Sequence, residues 1–589
     1  MTSTLVPLVV AVPLLAAAAL GALGHFALSR VDNLVAIAVS VAVTVFCVLL
    51  VFRSSNETIH YWFGGWRPRD GIAIGISFTV DPLAAGVAAL IAALATAALV
   101  VSWDYFGEAV PQHFHVLMLI FLGAMCGFAL SSDLFNMFVF FELMSISAFA
   151  LTGYRIEQSQ ALQGAINFAV VNSIGAFLLL TGIALLYGRT GALNLAQIGQ
   201  VLSRGHADGL VIVAFTLVVV GFLTKAGAVP FHFWLSDAYA VAPAPVCILF
   251  AGVMSDLGLH AVGRTYWEGF SGVLHAHAGE VRGVFIGVGL ATALLGAVMA
   301  FVQAGLKHML AFVVISHVGV FLTAIGLLSA TGLAGATVYV VADGLVKGAL
   351  FCGVASIARR TGETEELALH GVGGRIPITG GIVAVGGVAL AAIPPLAILS
   401  GHGWLRAVLV VASAVAAAAV LRAGGRIFLG LGPKRDPLLM TAPSGTEAEL
   451  RSAPRAGALL WLPALALLGA AVALVFTPGL ARRAVQHAER AVDRPALARE
   501  TLHGVRAPQP PATFERSAGA YAYAGASVVL ALGVAAFGLY RRRLPRLVVA
   551  PLDRLKLLHD GVAGDYVTWL TVGTAVLGAV FALLLEIAP

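Results

Sequence analysis

The sequence predicts an all-α, polytopic membrane helix bundle, and three observations carry that prediction. Hydrophobic residues fill 60% of the 589 positions and charged residues only 11%, with a mean hydropathy of +0.95, far from the composition of a water-soluble domain. Apolar runs of about 20 residues recur along nearly the whole chain, each long enough to cross roughly 30 Å of hydrocarbon. The runs lack the period-two alternation of a transmembrane barrel, and an open sheet would leave backbone groups that hydrocarbon cannot satisfy.

Taken in order between charged or Gly/Pro-rich breaks, the runs place helices at 4–24, 32–52, 79–103, 113–131, 133–154, 162–187, 208–240, 243–264, 282–303, 309–329, 332–357, 376–400, 403–428, 455–477, 518–540 and 562–586. That is a bundle of about 14–16 transmembrane helices. The first run, MTSTLVPLVVAVPLLAAAALGAL, lacks the basic leader of a secretory signal and continues as a full span, so it is expected to remain as the first helix. The 208–240 run is too long for one straight span, and Gly227 and Pro230 interrupt it. Proline removes a backbone donor and frees carbonyls at membrane depth, so a broken helix is predicted there. Such breaks tend to line polar cavities. The polar stretches 429–454 and 478–517 are the expected extramembrane pieces, and the prolines of VRAPQPPATFERS suggest an extended linker. Three regions follow: N-terminal helices over 1–78, a core over 79–430, and a C-terminal linker with additional helices over 431–589.

Arg30, Arg155, Lys307, Arg359, Arg360, Lys434, Arg435 and the run Arg541, Arg542, Arg543 fall on one side of this helix count. The positive-inside rule makes that side cytoplasmic and the N-terminus external, in a cell inner membrane. The net charge of +6 is explained by these flanks and gives no reason to invoke nucleic acid. Cys47, Cys126, Cys247 and Cys352 lie singly in apolar segments and read as packing residues. No GxGxxG follows a strand and no GxxxxGK[ST] occurs, and the string GVGGRIP suits a helix-connecting loop. No cofactor is expected, whether nucleotide, haem, iron–sulfur cluster or metal.

The chemistry lies in the charges that fall mid-helix. An ionisable side chain at the bilayer centre costs on the order of 2.5–3.5 kcal/mol, so such residues usually face a bundle interior or a hydrated path. Glu142 sits near the middle of its span, and Lys225 immediately precedes the predicted break. Asp256 and His260 are one turn apart, as are Asp343 and Lys347, so each pair shares a helix face. His317 and His402 complete the set, and His232 lies just beyond the break. Blander readings stand beside these. Asp343 and Lys347 are also what a neutralised intrahelical ion pair looks like, and a lone histidine such as His317 is more often hydrogen-bonded packing than a functional group. His275, His277 and His308 fall at predicted loops or helix ends and read as solvated. Glu142 and Lys225, unpaired within their own helices, fit a structural reading least.

At these residues the chain resembles a known family. FELMSISAFALTGY, GRTGALNLAQIG, TKAGAVPFHFWLSDAYAVAPAPV, HMLAFVVISHVG and DGLVKGALF are similar to the antiporter-like subunits of respiratory complex I, of membrane-bound hydrogenases and, above all, to the D-type chain of Mrp cation/proton antiporters. The resemblance covers residues 75 to 430, and Asp133 to Pro245 is its most specific stretch. It implies two inverted five-helix repeats, each with a broken helix, and a mid-membrane proton path of Glu, Lys and His. Glu142 and Lys225 match the family's carboxylate and broken-helix lysine, and Lys347 matches a lysine of the second half. Two positions depart from the pattern. Asp256 stands where relatives often have a bridging lysine, and AAIPPLAILSGHGW puts His402 where a lysine or glutamate usually ends the second broken helix.

The function so implied is proton translocation by one subunit of a multisubunit cation/proton antiporter, along Glu142, Lys225, Asp256, Lys347 and His402, with His232, His260, His317 and Asp343 as further stations. The expected partners are other membrane subunits, the lipid bilayer, protons and, as an alternative coupling ion, sodium. Competing readings are a membrane-arm subunit of an NADH:quinone oxidoreductase or membrane-bound hydrogenase, a self-sufficient solute transporter, and a scaffold. On the sequence alone, Asp256 either takes protons directly or pairs with Lys225 or Lys347.

Overall fold

Helices dominate because each satisfies its own backbone within the hydrocarbon. The computed structural model describes residues 4–23, 29–107, 113–392, 403–441, 457–477, 479–505, 519–541, 546–559 and 561–587. Among them, 15 helices are long and apolar enough to cross a membrane, and Pro377–Ala392 is a shorter apolar helix. In chain order the elements are α1 (Leu5–Leu23), α2 (Ser29–Ser54), β1 (Ile59–Trp62), β2 (Ser77–Val80), α3 (Pro82–Phe106), α4 (His113–Leu130), α5 (Leu134–Thr152), α6 (Ser159–Thr190), α7 (Leu195–Leu202), α8 (Gly209–Ala226), α9 (Phe233–Val241), α10 (Ala244–Leu249) and α11 (Ser255–Arg264). Then come α12 (Ala278–Phe301), α13 (Leu306–Gly326), α14 (Ala330–Thr361), α15 (Pro377–Ala392), α16 (Gly403–Leu429), α17 (Ala458–Phe476), α18 (Leu480–Val492), α19 (Arg494–His503), α20 (Gly519–Tyr540), α21 (Arg546–Leu557) and α22 (Ala563–Ile587). The four cysteines are buried, and no disulfide joins them among the described residues.

The predicted spans reappear with small shifts at their ends, except that residues 393–400 of the span expected at 376–400 lie outside the described residues, and the differences have physical causes. The expected helix 243–264 continues to Phe270, because π-helical turns at Phe250–Met254 and Thr265–Phe270 join α10 and α11 into one span. Residues 59–80, lying almost wholly between the expected spans 32–52 and 79–103 but not counted among the expected extramembrane pieces, form a folded connection. There β1 pairs antiparallel with β2, with Ile59 opposite Val80. The 478–517 stretch is partly helical, since α18 and α19 fold there, while VRAPQPPATFERS lies almost wholly outside the described residues. α18 is strongly amphipathic and buries Ala484, Val485 and Ala488 on one face. Short amphipathic helices of this kind carry too few consecutive apolar residues to register as spans.

Burial separates centre from rim. The apolar window of α13 is 100% buried and that of α14 is 94%, against 22% for α22. Outward-facing side chains such as Leu34, Phe177, Val529 and Leu583 are exposed, as a lipid-facing rim requires. Close helix crossings build the centre. A side chain at Gly344 would run into the Gly252 carbonyl, and one at Gly258 would lie 2.5 Å from the Phe222 carbonyl oxygen. The first crossing seats the α10–α11 span on α14, and the second seats α11 on α8. The C-terminal helices wrap this core: α17 packs on α3 and α14, α20 on α15 and α16, and α22 on α6 and α8.

Candidate functional site

The break between α8 and α9 is the first component. α8 ends at Gly227, whose φ of +71° is left-handed and forms its C-cap. Pro230 follows and keeps the helix from resuming at once. The freed backbone is re-satisfied inside the protein. The Trp234 indole N–H donates to the Thr224 carbonyl at 3.0 Å, and the Val229 N–H donates to Thr292 Oγ1 at 3.1 Å. Trp234 is held flat against Phe168, with ring centroids 4.2 Å apart. Lys225 is thereby fixed in the last turn of α8 with no exposed surface. Its Nζ donates to Ser145 Oγ at 2.9 Å and lies 5.1 Å from the Phe141 ring centroid. Ser145 is three residues beyond Glu142 on α5, so the lysine reaches the helix face that carries the carboxylate. The two charges are close enough to interact, and Glu142 Oε1 is buried with no hydrogen-bond partner among the described residues.

The second component is a four-residue array at the bundle centre. Lys347 Nζ lies 2.6 Å from Asp343 Oδ2 and 3.5 Å from Asp256 Oδ2. Asp343 Oδ1 is 2.6 Å from His317 Nδ1, and all four residues are buried. Of the two lysines left open as partners of Asp256, the geometry selects Lys347, and no side-chain bond among the described residues joins Asp256 to Lys225. The helices bearing those two residues still meet, because Gly258 of α11 lies against Phe222 and Ala226 of α8. Asp256 and His260 share a face without bonding, and His260 Nε2 sits 3.1 Å from the Ala129 carbonyl.

Two further groups complete the site. Along α11 and its continuation, Asp256, His260, Arg264 and Glu268 recur every fourth residue and line a cavity of about 50 Å³ together with Asp81 and Ala491. Arg264 Nη2 is 2.8 Å from Glu268 Oε1, and Arg264 Nη1 is 3.9 Å from Asp81. His60 of the hairpin stands beside this column, where burial, with the Arg264 guanidinium behind it, pushes its imidazole down to about 4. At the opposite end of the bundle, His232 Nε2 is 3.2 Å from Nε2 of His559, beside a cavity of about 280 Å³. His308, read as solvated, is half-buried on that cavity's wall. His402 lies outside the described residues.

Sequence reasoning missed Ser145, Arg264, Glu268 and His559. The α11 residues carried a legible signal in their four-residue spacing. His559 carried none, because it reaches the site from a segment far along the chain.

The arrangement can exchange protons. Asp256, Lys347, Asp343 and His317 form one buried chain of titratable side chains, each 2.6–3.5 Å from the next, so a proton taken up by one changes the charge that faces its neighbour.

Residues 131–425 match the family described as NADH:quinone oxidoreductase/Mrp antiporter, transmembrane. The N-type chain of the NADH-quinone oxidoreductase of Desulforudis audaxviator is 30% identical over 346 residues, covering 58% of this chain and 67% of that protein. The D-type chain of the Na(+)/H(+) antiporter of Bacillus subtilis is 29% identical over 376 residues, covering 63% and 73%. The fold is also that of a chain in the Mrp complex of a Dietzia species, with TM-score 0.70, 24% identity, and coverage of 85% of this chain and 99% of that one. A chain of an archaeal membrane-bound sulfane sulfur reductase superposes with TM-score 0.72 at 23% identity, covering 84% and 99%. With the family match spanning half of the sequence and the broken helix and buried charges within it, this chain belongs to the NADH:quinone oxidoreductase/Mrp antiporter transmembrane family.

Proposed function

We propose that the chain translocates protons as one membrane subunit of a multisubunit cation/proton antiporter, in the plasma membrane with its N-terminus outside. The observation that carries this reading is the buried chain of contacts Asp256–Lys347–Asp343–His317, adjacent through α8 and α11 to the Lys225–Glu142 group. Movement of one proton along it shifts every ion pair in turn. Lys225 retained as an ammonium favours ionised Glu142, and a proton reaching either group alters the field at the other. The chain's own residues hold and pass protons, and the driving force comes from partner subunits or an opposing ion gradient. The likeness to the N-type chain of an NADH-quinone oxidoreductase supports a second reading, a membrane-arm subunit of a redox complex with the same proton chemistry.

The test is proton flux in vesicles containing the whole assembly. Glu142→Gln is expected to abolish flux while the subunit still assembles. Wild-type flux in Glu142→Gln and in Lys347→Ala would leave a scaffold as the better reading. Purifying the native assembly separates antiporter subunits from redox subunits as its neighbours.

A further inference from the structure

The C-terminal segment brings a histidine to the inner end of the broken helix, although it lies outside the family-matched stretch 131–425. α20 packs on α15 and α16, and α22 on α6 and α8, with α21 between them in the chain. The connection is anchored at both ends. Arg541 Nη2 binds Asp436 at 2.5 Å, and Lys556 Nζ donates to the Leu438 carbonyl at 3.0 Å. Beyond α21, Asn167 Nδ2 of α6 donates to the Gly561 carbonyl at 2.8 Å and to Asp237 Oδ2 at 3.2 Å. The Tyr566 hydroxyl donates to the same Asp237 oxygen at 2.8 Å. These bonds hold His559 against the broken helix, with its ring also in edge contact with Phe312.

His559 has one ring nitrogen committed. Nδ1 lies 3.0 Å from the Leu555 carbonyl, which only accepts, so Nδ1 carries the hydrogen. Nε2 then faces His232 Nε2 at 3.2 Å, a separation at which the two nitrogens share one hydrogen. His232 is buried, whereas His559 is half-buried and lines the 280 Å³ cavity with Gln163, Asn167, Asp237 and His308. A water needs about 10–15 Å³ of such space, so this cavity has room for several.

We propose that the His232–His559 pair is the proton-uptake relay at the inner mouth of the path, with one of its imidazoles supplied by the C-terminal segment. Resting on the proton-translocating function above, it adds the site where protons leave cavity water. In the relay step, the Nε2–H bond of a His559 imidazolium breaks as an Nε2–H bond forms on His232. Charge moves one residue inward, and no other bond changes. When the contact with His232 opens, His559 Nε2 regains a proton from a hydronium ion in the cavity, which is left as water. Asp237, Tyr566 and His308 are the titratable neighbours, and the Asp237 carboxylate favours a cation in the mouth.

The experiment uses the complete assembly in vesicles, with subunit incorporation measured for each variant. His559→Ala is expected to lower flux at least tenfold, and imidazole added on the cavity side is expected to restore much of it, because the cavity has room for a free ring. Imidazole should not rescue Glu142→Gln. His559→Gln keeps a polar side chain of similar reach but cannot relay a proton, so it should assemble normally and still lose flux. Wild-type flux in His559→Ala or His559→Gln would overturn the relay. So would a loss in His559→Ala that imidazole leaves untouched in a fully assembled complex, since the residue would then only hold the segment in place. Loss in Glu142→Gln alone sinks the relay and spares the broader function, whereas no loss in either sinks both.

Discussion

Lys225, Asp256, Asp343, Lys347 and His317 are each buried almost completely, yet they are paired differently. Lys225 leans on a hydroxyl and aromatic faces, with no ion pair among the described residues, whereas Lys347 lies between two carboxylates. Asp256, the departure from the family pattern, thus serves as the second counter-charge of Lys347. Asp256→Asn removes that charge and is predicted to lower proton flux about tenfold. Asp256→Lys would set two ammonium groups within about 4 Å, a repulsion of about 4 kcal/mol at an effective dielectric constant of about 20. Its flux is predicted to fall to background, with less subunit in the membrane. Vesicle flux at equal expression decides the matter, and full activity in the lysine variant would remove Asp256 from the path. These residues were legible in the sequence because a charge within an apolar run is conspicuous by itself. The Asp343–Lys347 pair was legible from its four-residue spacing, but the partners on other helices were not, because such pairing depends on how distant helices cross.

Between elements, a buried ionic clamp ties the second half of the core to the C-terminal helices. Arg422 of α16 donates to Glu366 Oε2 at 2.7 Å and to the carbonyls of Phe301 and Gln303 at the end of α12. Arg426 reaches Glu366 Oε1 at 2.6 Å and Asp436 at 3.4 Å, and Asp436 also holds Arg541 past α20. Removing one member leaves a buried guanidinium uncompensated, which costs about 3–5 kcal/mol. Glu366→Ala is therefore predicted to lower the melting temperature of the detergent-solubilised assembly clearly. Arg189→Ala, which breaks an exposed pair with Asp208, should cost under about 1 kcal/mol. Equal melting of the two variants would contradict the clamp. Nothing in the sequence singled out Glu366, which sits in a loop between spans. The broken helix, by contrast, was legible from Gly227 and Pro230, since each acts on its own backbone. α7, α18 and α21 were not, because their amphipathic faces gain meaning only against the surfaces they cover.

For the whole molecule, orientation follows from where the basic ends gather. Gly107 at the end of α3 abuts Arg359 at the end of α14, and Lys307 at the start of α13 donates to the Ala242 carbonyl after α9, so these ends meet at shared faces. Cysteines introduced beside Arg155 and Arg359 are predicted to be labelled from the cytoplasmic side of intact cells' membranes, and labelling solely from outside would reverse the topology. Desolvation acts on each residue where it stands, so the order of residues along the chain by itself determined the membrane bundle, most of its spans, the break in α8–α9 and the buried charges. Tertiary structure decided which charges meet. The Gly252–Gly344 crossing carries Asp256 to Lys347, and the anchored C-terminal segment carries His559 to His232. Both juxtapositions depend on helix separations of a few ångströms, set by the packing of segments far apart in the chain, and no local pattern of residues encodes such a distance.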